Sequence, residues 1–229
     1  MIAVFALLVL ALLAFAGAFI YYSWKAKEER REAIATFALS HGMTYLAEDT
    51  GELARFDFRL FERGDGRGWE NVVAGDWHGL PVRACDYWYY DQHTDNKGGT
   101  SRSYKRFTVA VAEVAAWLPP VELSRESVLT RLADHVGLRD IEFESEEFNR
   151  CWNVKAPDRE FAFKLVDARM IAWLQDSCDG LCFEVNGPHV LVYTGQLAAA
   201  DWPVVLSGVK GFVDHVPRLV WNEYGRATS

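Results

Sequence analysis

The sequence predicts an α+β protein in which an N-terminal transmembrane helix is followed by mostly antiparallel sheet with packed helices. Three observations carry that expectation. Residues Ile2–Trp24 hold no charged side chain, and as a helix rising about 1.5 Å per residue such a run spans roughly 34 Å, enough to cross a hydrocarbon core. Beyond it, alternating apolar runs are joined by short turn signals, as antiparallel pairing requires. Segments of helical periodicity then lie between groups of strands, not after every strand, which selects α+β over α/β.

The anchor ends in Tyr21, Tyr22 and Trp24, rings favoured at a membrane interface. A cleaved signal peptide is the rival reading, with Ala16-Gly17-Ala18 as its cleavage motif. The run lacks a basic n-region and is longer than a signal peptide's apolar stretch, so a retained anchor over residues 1–24 is expected. Only Met1 precedes it, whereas Lys25, Lys27, Arg30 and Arg31 follow. That asymmetry places the C-terminal side in the cytoplasm and predicts a single-pass protein of the cell membrane. Glu28, Glu29 and Glu32 weaken this collar as a binder of anionic lipid. Ile34, Phe37, Ala38 and His41 then recur at spacings of three and four, which gives a juxtamembrane helix over 25–42 that stops at Gly42. Whether it continues the anchor or kinks away from it is open.

The cytoplasmic domain is assigned to 43–224. Met43–Ala47 is a short apolar candidate, and Phe56–Phe61 is too mixed for a strand. Gly64–Gly68 reads as a surface turn; without a P-loop lysine or strand-then-helix context it does not imply phosphate binding. Trp69–Trp77 and Leu80–Tyr89 are two strands about His78-Gly79, and a two-residue turn puts Gly75 opposite Val82 and Val73 opposite Ala84. A polar loop, Asp91–Ser103, leads to a third strand, Tyr104–Val114. Pro119-Pro120 closes this half and marks a possible sub-boundary.

The second half opens with Val121–Leu123. Ser124 caps a helix to about Val136 that buries Val128, Leu129, Leu132 and Val136 and stops at Gly137. Ile141–Phe143 and Cys151–Lys155 are strands on either side of ESEEFNR (144–150). Arg159–Gln175 is helical with a break at Asp167. Leu181–Val185 and His189–Tyr193 form a hairpin about Asn186-Gly187, which sets Cys182 against Leu191 and Glu184 against His189. A last helix runs from Ala199 or Asp201 to about Val216, with Trp202, Val205, Leu206, Val209, Phe212 and Val213 inward.

Composition narrows the function. A net charge of -8, all of it outside residues 1–24, argues against nucleic acid, which requires clustered Lys and Arg; Arg102, Lys105 and Arg106 make only a small patch. An acidic domain beside an anionic leaflet is expected to stand off it. In a reducing compartment Cys85, Cys151, Cys178 and Cys182 are expected as thiols, by default small buried hydrophobes. Outside the cytoplasm, Cys178 with Cys182 or Cys85 with Cys151 could pair. Three residues separate Cys178 from Cys182, unlike a thioredoxin-like motif, and no further zinc ligands stand nearby.

Two places could carry chemistry. Glu144, Glu146 and Glu147 crowd into ESEEFNR, but adjacent acids diverge, and Phe148 and Trp152 read as core anchors beneath a solvated turn. Asp91, His93 and Asp95 could ligate a divalent metal, yet a single histidine makes a weak set, and an exposed hairpin tip is the bland reading. Recognition is the better use of this region, since a polar loop on an aromatic base suits partner binding. Its candidate residues are Trp88, Tyr89, Tyr90, Asp91, His93, Asp95 and Arg102. No Gly-x-Ser-x-Gly elbow or catalytic cysteine signature is present, so no catalytic residue, metal or cofactor is assigned.

Ile141–Leu174 and Phe183–Tyr193 resemble a family of bacterial membrane-anchored proteins of unknown function. The matching residues are Phe143, Ser145, Phe148, Val154, Asp158, Ala162, Leu165, Met170 and Leu174, then the final apolar hairpin. The resemblance implies an N-terminal transmembrane helix with a cytoplasmic α+β domain, and it implies that ESEEFNR is structural. It brings no activity with it. The expectation is a membrane-anchored binding or accessory module that contacts the bilayer through residues 2–24 and an unidentified protein elsewhere. The alternative is a hydrolase or metal-dependent enzyme using Asp91/His93/Asp95 or Glu144/Glu146/Glu147.

Overall fold

The computed structural model describes residues 2–49, 51, 53–95, 98–125 and 140–225. Helix α1 (Ile2–Ser40) runs unbroken from the apolar run through the charged collar. No Gly or Pro lies between Phe19 and Ser40, so nothing in the chain interrupts the hydrogen-bond ladder there. It ends where expected: Gly42 adopts φ +68°, Gly42 N donates to Leu39 O and Met43 N to Ala38 O, the paired bonds of a Schellman cap.

Seven strands make one antiparallel sheet, β1 (Thr44–Glu48), β2 (Gly66–Trp77), β3 (Leu80–Thr94), β4 (Thr100–Arg125), β5 (Asp140–Ile141), β6 (Trp152–Lys155) and β7 (Cys182–Gly195), in the order β1-β2-β3-β4-β6-β5 with β7 also paired to β4. The β2–β3 register sets Gly75 opposite Val82 and Val73 opposite Ala84, as expected. The helices are α2 (Arg59–Glu62), α3 (Glu146–Cys151), α4 (Arg159–Leu165), α5 (Ala168–Ser177), α6 (Pro203–His215) and α7 (Arg218–Tyr224). Asp167 makes the predicted break by accepting from Met170 N at 2.8 Å and so capping α5.

Both faces of the sheet are covered. Val73, Val82, Ala84, Ala110, Ala112 and Val192 pack with Ile34 and Ala38 of α1 and with Val205, Leu206, Val209 and Phe212 of α6. On the other face, Val72, Cys85, Tyr87, Tyr89, Phe107 and Val109 lie under Leu53, Phe58, Leu60 and Phe61. Residues 53–62 are therefore a lid on the sheet's second face.

Four local expectations are corrected. Gly66–Gly68 belong to β2 and form no surface turn; Gly64, with φ +73°, makes the bend. Pro119-Pro120 does not end a strand. β4 passes through it as an irregularity, with register shifts against β7 between Glu113 and Val121. Ser124 lies in β4, opposite Asn153; the remainder of that predicted helix, with Val128, Leu129, Leu132, Val136 and Gly137, lies outside the described residues. Asn186-Gly187 turns no hairpin. β7 is one strand antiparallel to β4, so Cys182 does not face Leu191, and Glu184 faces Glu122, not His189. Gly187 (φ +58°) sits in the irregular stretch of that pairing: a left-handed glycine serves a bulge as well as a turn.

Candidate functional site

The predicted polar loop is a hairpin. Pairing continues from Tyr90↔Tyr104 through Asp91↔Ser103, Gln92↔Arg102 and His93↔Ser101 to Thr94↔Thr100. Asp95 closes its end, with Gly99 N donating to Asp95 Oδ1 at 2.7 Å and Asp95 N to Gly99 O at 2.8 Å. Regular pairing splits the predicted recognition residues between two faces. Trp88, Tyr90 and Arg102 share one. Tyr89 points the other way and is buried at 2% exposure, 5.8 Å from Phe107. Asp91 and His93 share Tyr89's face, where Asp91 pairs with Lys105 at 3.3 Å.

The Trp88 face is a ladder of rings. Trp88 and Tyr90 stack at 6.4 Å, and Tyr104 lies 5.8 Å from Trp88 and 5.4 Å from Tyr90. Arg102 Cζ sits 4.6 Å over the Tyr90 ring, a cation–π placement. Two glycines of β2 make room: a Cβ on Gly66 would lie within 2.4 Å of Tyr90 Cε1, and one on Gly68 within 2.7 Å of Trp88 Cζ2. The rings thus lie flat over bare backbone. Tyr104 is half exposed, and Arg106, opposite Trp88, is exposed on the same face.

Directly before this ladder on β3, the same face is taken by α1. Asp86 is buried and receives Arg30 in bidentate fashion, Nε at 2.8 Å and Nη2 at 2.6 Å. Asn71 Nδ2 donates to Asp86 Oδ2 at 2.8 Å, and Tyr45 Oη donates to Asn71 Oδ1 at 2.9 Å. Asn71 stands at φ +56°, where asparagine is tolerated, at the bulge of β2. One polar chain so ties α1, β3, β2 and β1. The clue in the sequence is an aspartate inside an aromatic strand, Asp86-Tyr87-Trp88-Tyr89-Tyr90, because a buried carboxylate requires a cationic partner.

Glu144, Glu146 and Glu147 are exposed. ESEEFNR is a built turn in which Phe148 N donates to Ser145 Oγ at 3.2 Å and Asn149 exchanges bonds with the Phe143 backbone at 2.7 and 3.0 Å. Phe148 and Trp152 are buried and stacked at 6.2 Å. Among the described residues no three His, Cys, Asp or Glu side chains gather around a metal position. Cys85, Cys178 and Cys182 are buried and Cys151 is exposed, all free. Burial pushes the Cys182 thiol up to about 11 and that of Cys178 up to about 12, which suppresses the reactive thiolate.

A second carboxylate site escapes a sequence reading because it depends on the β4–β7 register. Glu122 and Glu184 oppose each other across those strands, and Arg59 Nε lies 2.9 Å from Glu122 Oε1. Glu184 accepts from Leu60 N at 3.1 Å. Burial, then repulsion from Glu122, push Glu184 up to about 8. The adjacent cleft, 370 Å³, is lined by Asp57, Arg59, Glu62, Pro120, Pro157 and Asn186 among others. Both carboxylates hold the lid segment: one takes Arg59, the other the amide that follows it. That use is structural.

No family model matches the chain, and no curated protein sequence matches it. Among solved structures it resembles the crystal structure of the mycobacterial trehalose monomycolate transport factor A, TtfA, with a TM-score of 0.58 and 17% identity over 83% of this chain and 96% of that one. The likeness at that identity is one of fold, an α+β fold held in common with a bacterial protein.

Proposed function

We propose that this chain is a single-pass, membrane-anchored accessory module, its domain in the cytoplasm, which binds a partner at the same membrane through the Trp88–Tyr90–Arg102 face of the β3–β4 hairpin. The observation that carries this reading is how α1 is used. One continuous helix is apolar enough in its first part to cross a membrane and in its last part gives Ile34 and Ala38 to the core and Arg30 to a buried ion pair. Anchor and domain therefore move as one body, which suits a module that presents a surface at a fixed height above the bilayer. The collar of Lys25, Lys27, Arg30 and Arg31 supports the cytoplasmic side. Likeness to a protein described as a transport factor is compatible with an accessory role and carries no cargo over to this chain. The enzyme alternative has little geometric support, because its acids are exposed, pair with Lys105 or close a turn.

Cys151 supplies the test of orientation. The other three thiols are buried, so a membrane-impermeant maleimide reads Cys151 alone. No labelling of intact cells and full labelling after the membrane is opened is the expected result; labelling of intact cells would put the domain outside. For the role itself, Trp88→Ala with Arg102→Glu should abolish cellular function in protein that still folds, whereas Glu144→Gln with Glu147→Gln should leave it intact. The opposite pattern would favour the enzyme.

A further inference from the structure

The sheet continues past the point where α1 leaves it, and it does so toward the membrane. Along α1, Phe37 lies 6.4 Å from Trp77, Arg30 holds Asp86, and Lys27 reaches Glu70 at 3.7 Å. A step toward the N-terminus of α1 is thus a step toward Gly66 on β2, Thr94 on β3 and Thr100 on β4. The apolar anchor and the hairpin leave the domain at the same end.

Heights follow from elementary geometry. From Arg30 to Trp24, the last residue of the uncharged run, is roughly 9 Å of helix. From Asp86 to Tyr90 is roughly 13 Å of strand. The headgroup layer is itself about 5–7 Å thick on each side of the hydrocarbon core. With Trp24 at the interface and the strands running along α1, these lengths put the Arg30–Asp86 pair near the headgroups and the Trp88–Tyr90 rings at the level of the Tyr21, Tyr22 and Trp24 belt. The same rise would carry the polar tip, Thr94 and Thr100, roughly 26 Å beyond Asp86 and into hydrocarbon, which an open polar hairpin does not enter. The hairpin meets the bilayer by bending away from α1, which turns its α1-side face to the surface, and that exposed face is built for the contact. Amphipathic rings are favoured at the interface. Arg102 and Arg106 share their face, while Asp91 pairs with Lys105 on the reverse. Glu48 and Glu70 stand at the rim, Glu70 paired with Lys27. The net charge of -8 makes the domain as a whole stand off an anionic leaflet; this face is its local exception.

We propose that the α1-side face of the β3–β4 hairpin docks on the bilayer that holds α1, with Trp88, Tyr90 and Tyr104 in the interfacial layer and Arg102 and Arg106 on lipid phosphates. This rests on the reading of that face as the recognition surface and names the lipid interface as what it recognises. The test places a benzophenone amino acid at Tyr104 in the full chain, reconstituted in vesicles of phosphatidylcholine with or without phosphatidylglycerol. Irradiation should yield lipid adducts at Tyr104, several-fold above the same probe at exposed Phe163 on the domain's other end. Arg102→Gln with Arg106→Gln should cut the adduct in anionic vesicles roughly thirtyfold, about fivefold for each charge. Equal lipid adducts at Tyr104 and Phe163 would overturn the proposal. In cells, protein adducts without lipid adducts at Tyr104 would overturn it and leave the recognition reading standing; no adduct of either kind would overturn both.

Discussion

Glu184 and Glu122 occupy one rung of the β4–β7 ladder, and like charges directly opposite are destabilising. The conflict is resolved by a proton. Burial first, and Glu122 second, push the Glu184 carboxyl up to about 8 from an ordinary value of 4.5. The folded protein thus binds a proton that the unfolded chain releases near 4.5. This contribution to stability is complete below that pH and is lost as pH rises through about 8. The nominal scale is about 1.4 kcal/mol per unit of pH across the window, so a loss on the order of a few kcal/mol is expected. Glu184→Gln keeps an oxygen for Leu60 N and cannot ionise. Its unfolding free energy should therefore fall less between pH 5 and pH 8 and exceed that of the parent at pH 8. Denaturant melts at three pH values check this, and parallel profiles would refute it. Little of this pair was legible beforehand. Glu122 follows Pro119-Pro120, which reads as a stop, and Glu184 precedes Asn186-Gly187, which reads as a turn. Single residues were better read where the cause was local: Asp167, Gly42 and the Phe148/Trp152 anchors each act within a few positions of themselves.

At the scale of elements, local signals predicted the β2–β3 hairpin down to its register because His78-Gly79 leaves one pairing available. The pairing of β7 was misread as a hairpin of two strands because its partner, β4, lies some 70 positions away, beyond the reach of any turn rule. The Asp91–Ser103 strands were missed because polar composition resembles a loop, although nothing prevents polar residues from pairing at a hairpin's free end. Gly66 and Gly68 show what such misreading conceals. They read as turn glycines and in fact clear the floor under Tyr90 and Trp88. Gly66→Ala should leave stability within about 1 kcal/mol of the parent, because the gain from removing a strand glycine offsets the lost Arg102–Tyr90 contact. It should nevertheless tilt Tyr90 and weaken whatever contacts that face. Denaturation midpoints measured beside Tyr104 cross-linking yields separate the two effects; a drop of several kcal/mol would show that the ladder is structural.

For the whole molecule, the decisive element is α1, since its last part belongs to the domain and its first part is long and apolar enough to cross a membrane. The apolar run alone predicted a long apolar helix, but that the following helix completes the core could not be read from Ile34, Phe37 and Ala38, whose stripe fits any amphipathic helix. The structure makes Ile34 and Ala38 fully buried, and Phe37 packs 6.3 Å from Trp202. A chain beginning at Lys25 keeps all of this, so it should fold as a soluble domain with a urea midpoint close to that of the parent. A chain beginning at Thr44 loses the burial of Ile34, about 1.5–3 kcal/mol, and part of that from Ala38 and Phe37. It also leaves Asp86 without its cation in a buried position, worth about 3–5 kcal/mol when one partner of such a pair is removed. Together these approach the 5–15 kcal/mol by which a domain is stable. The shorter chain should therefore be unfolded or aggregated at 25 °C, as circular dichroism and size-exclusion chromatography would show. A well-folded Thr44 chain would mean that α1 is a tether and not a strut, and the fixed height assigned to the hairpin face would fall with it.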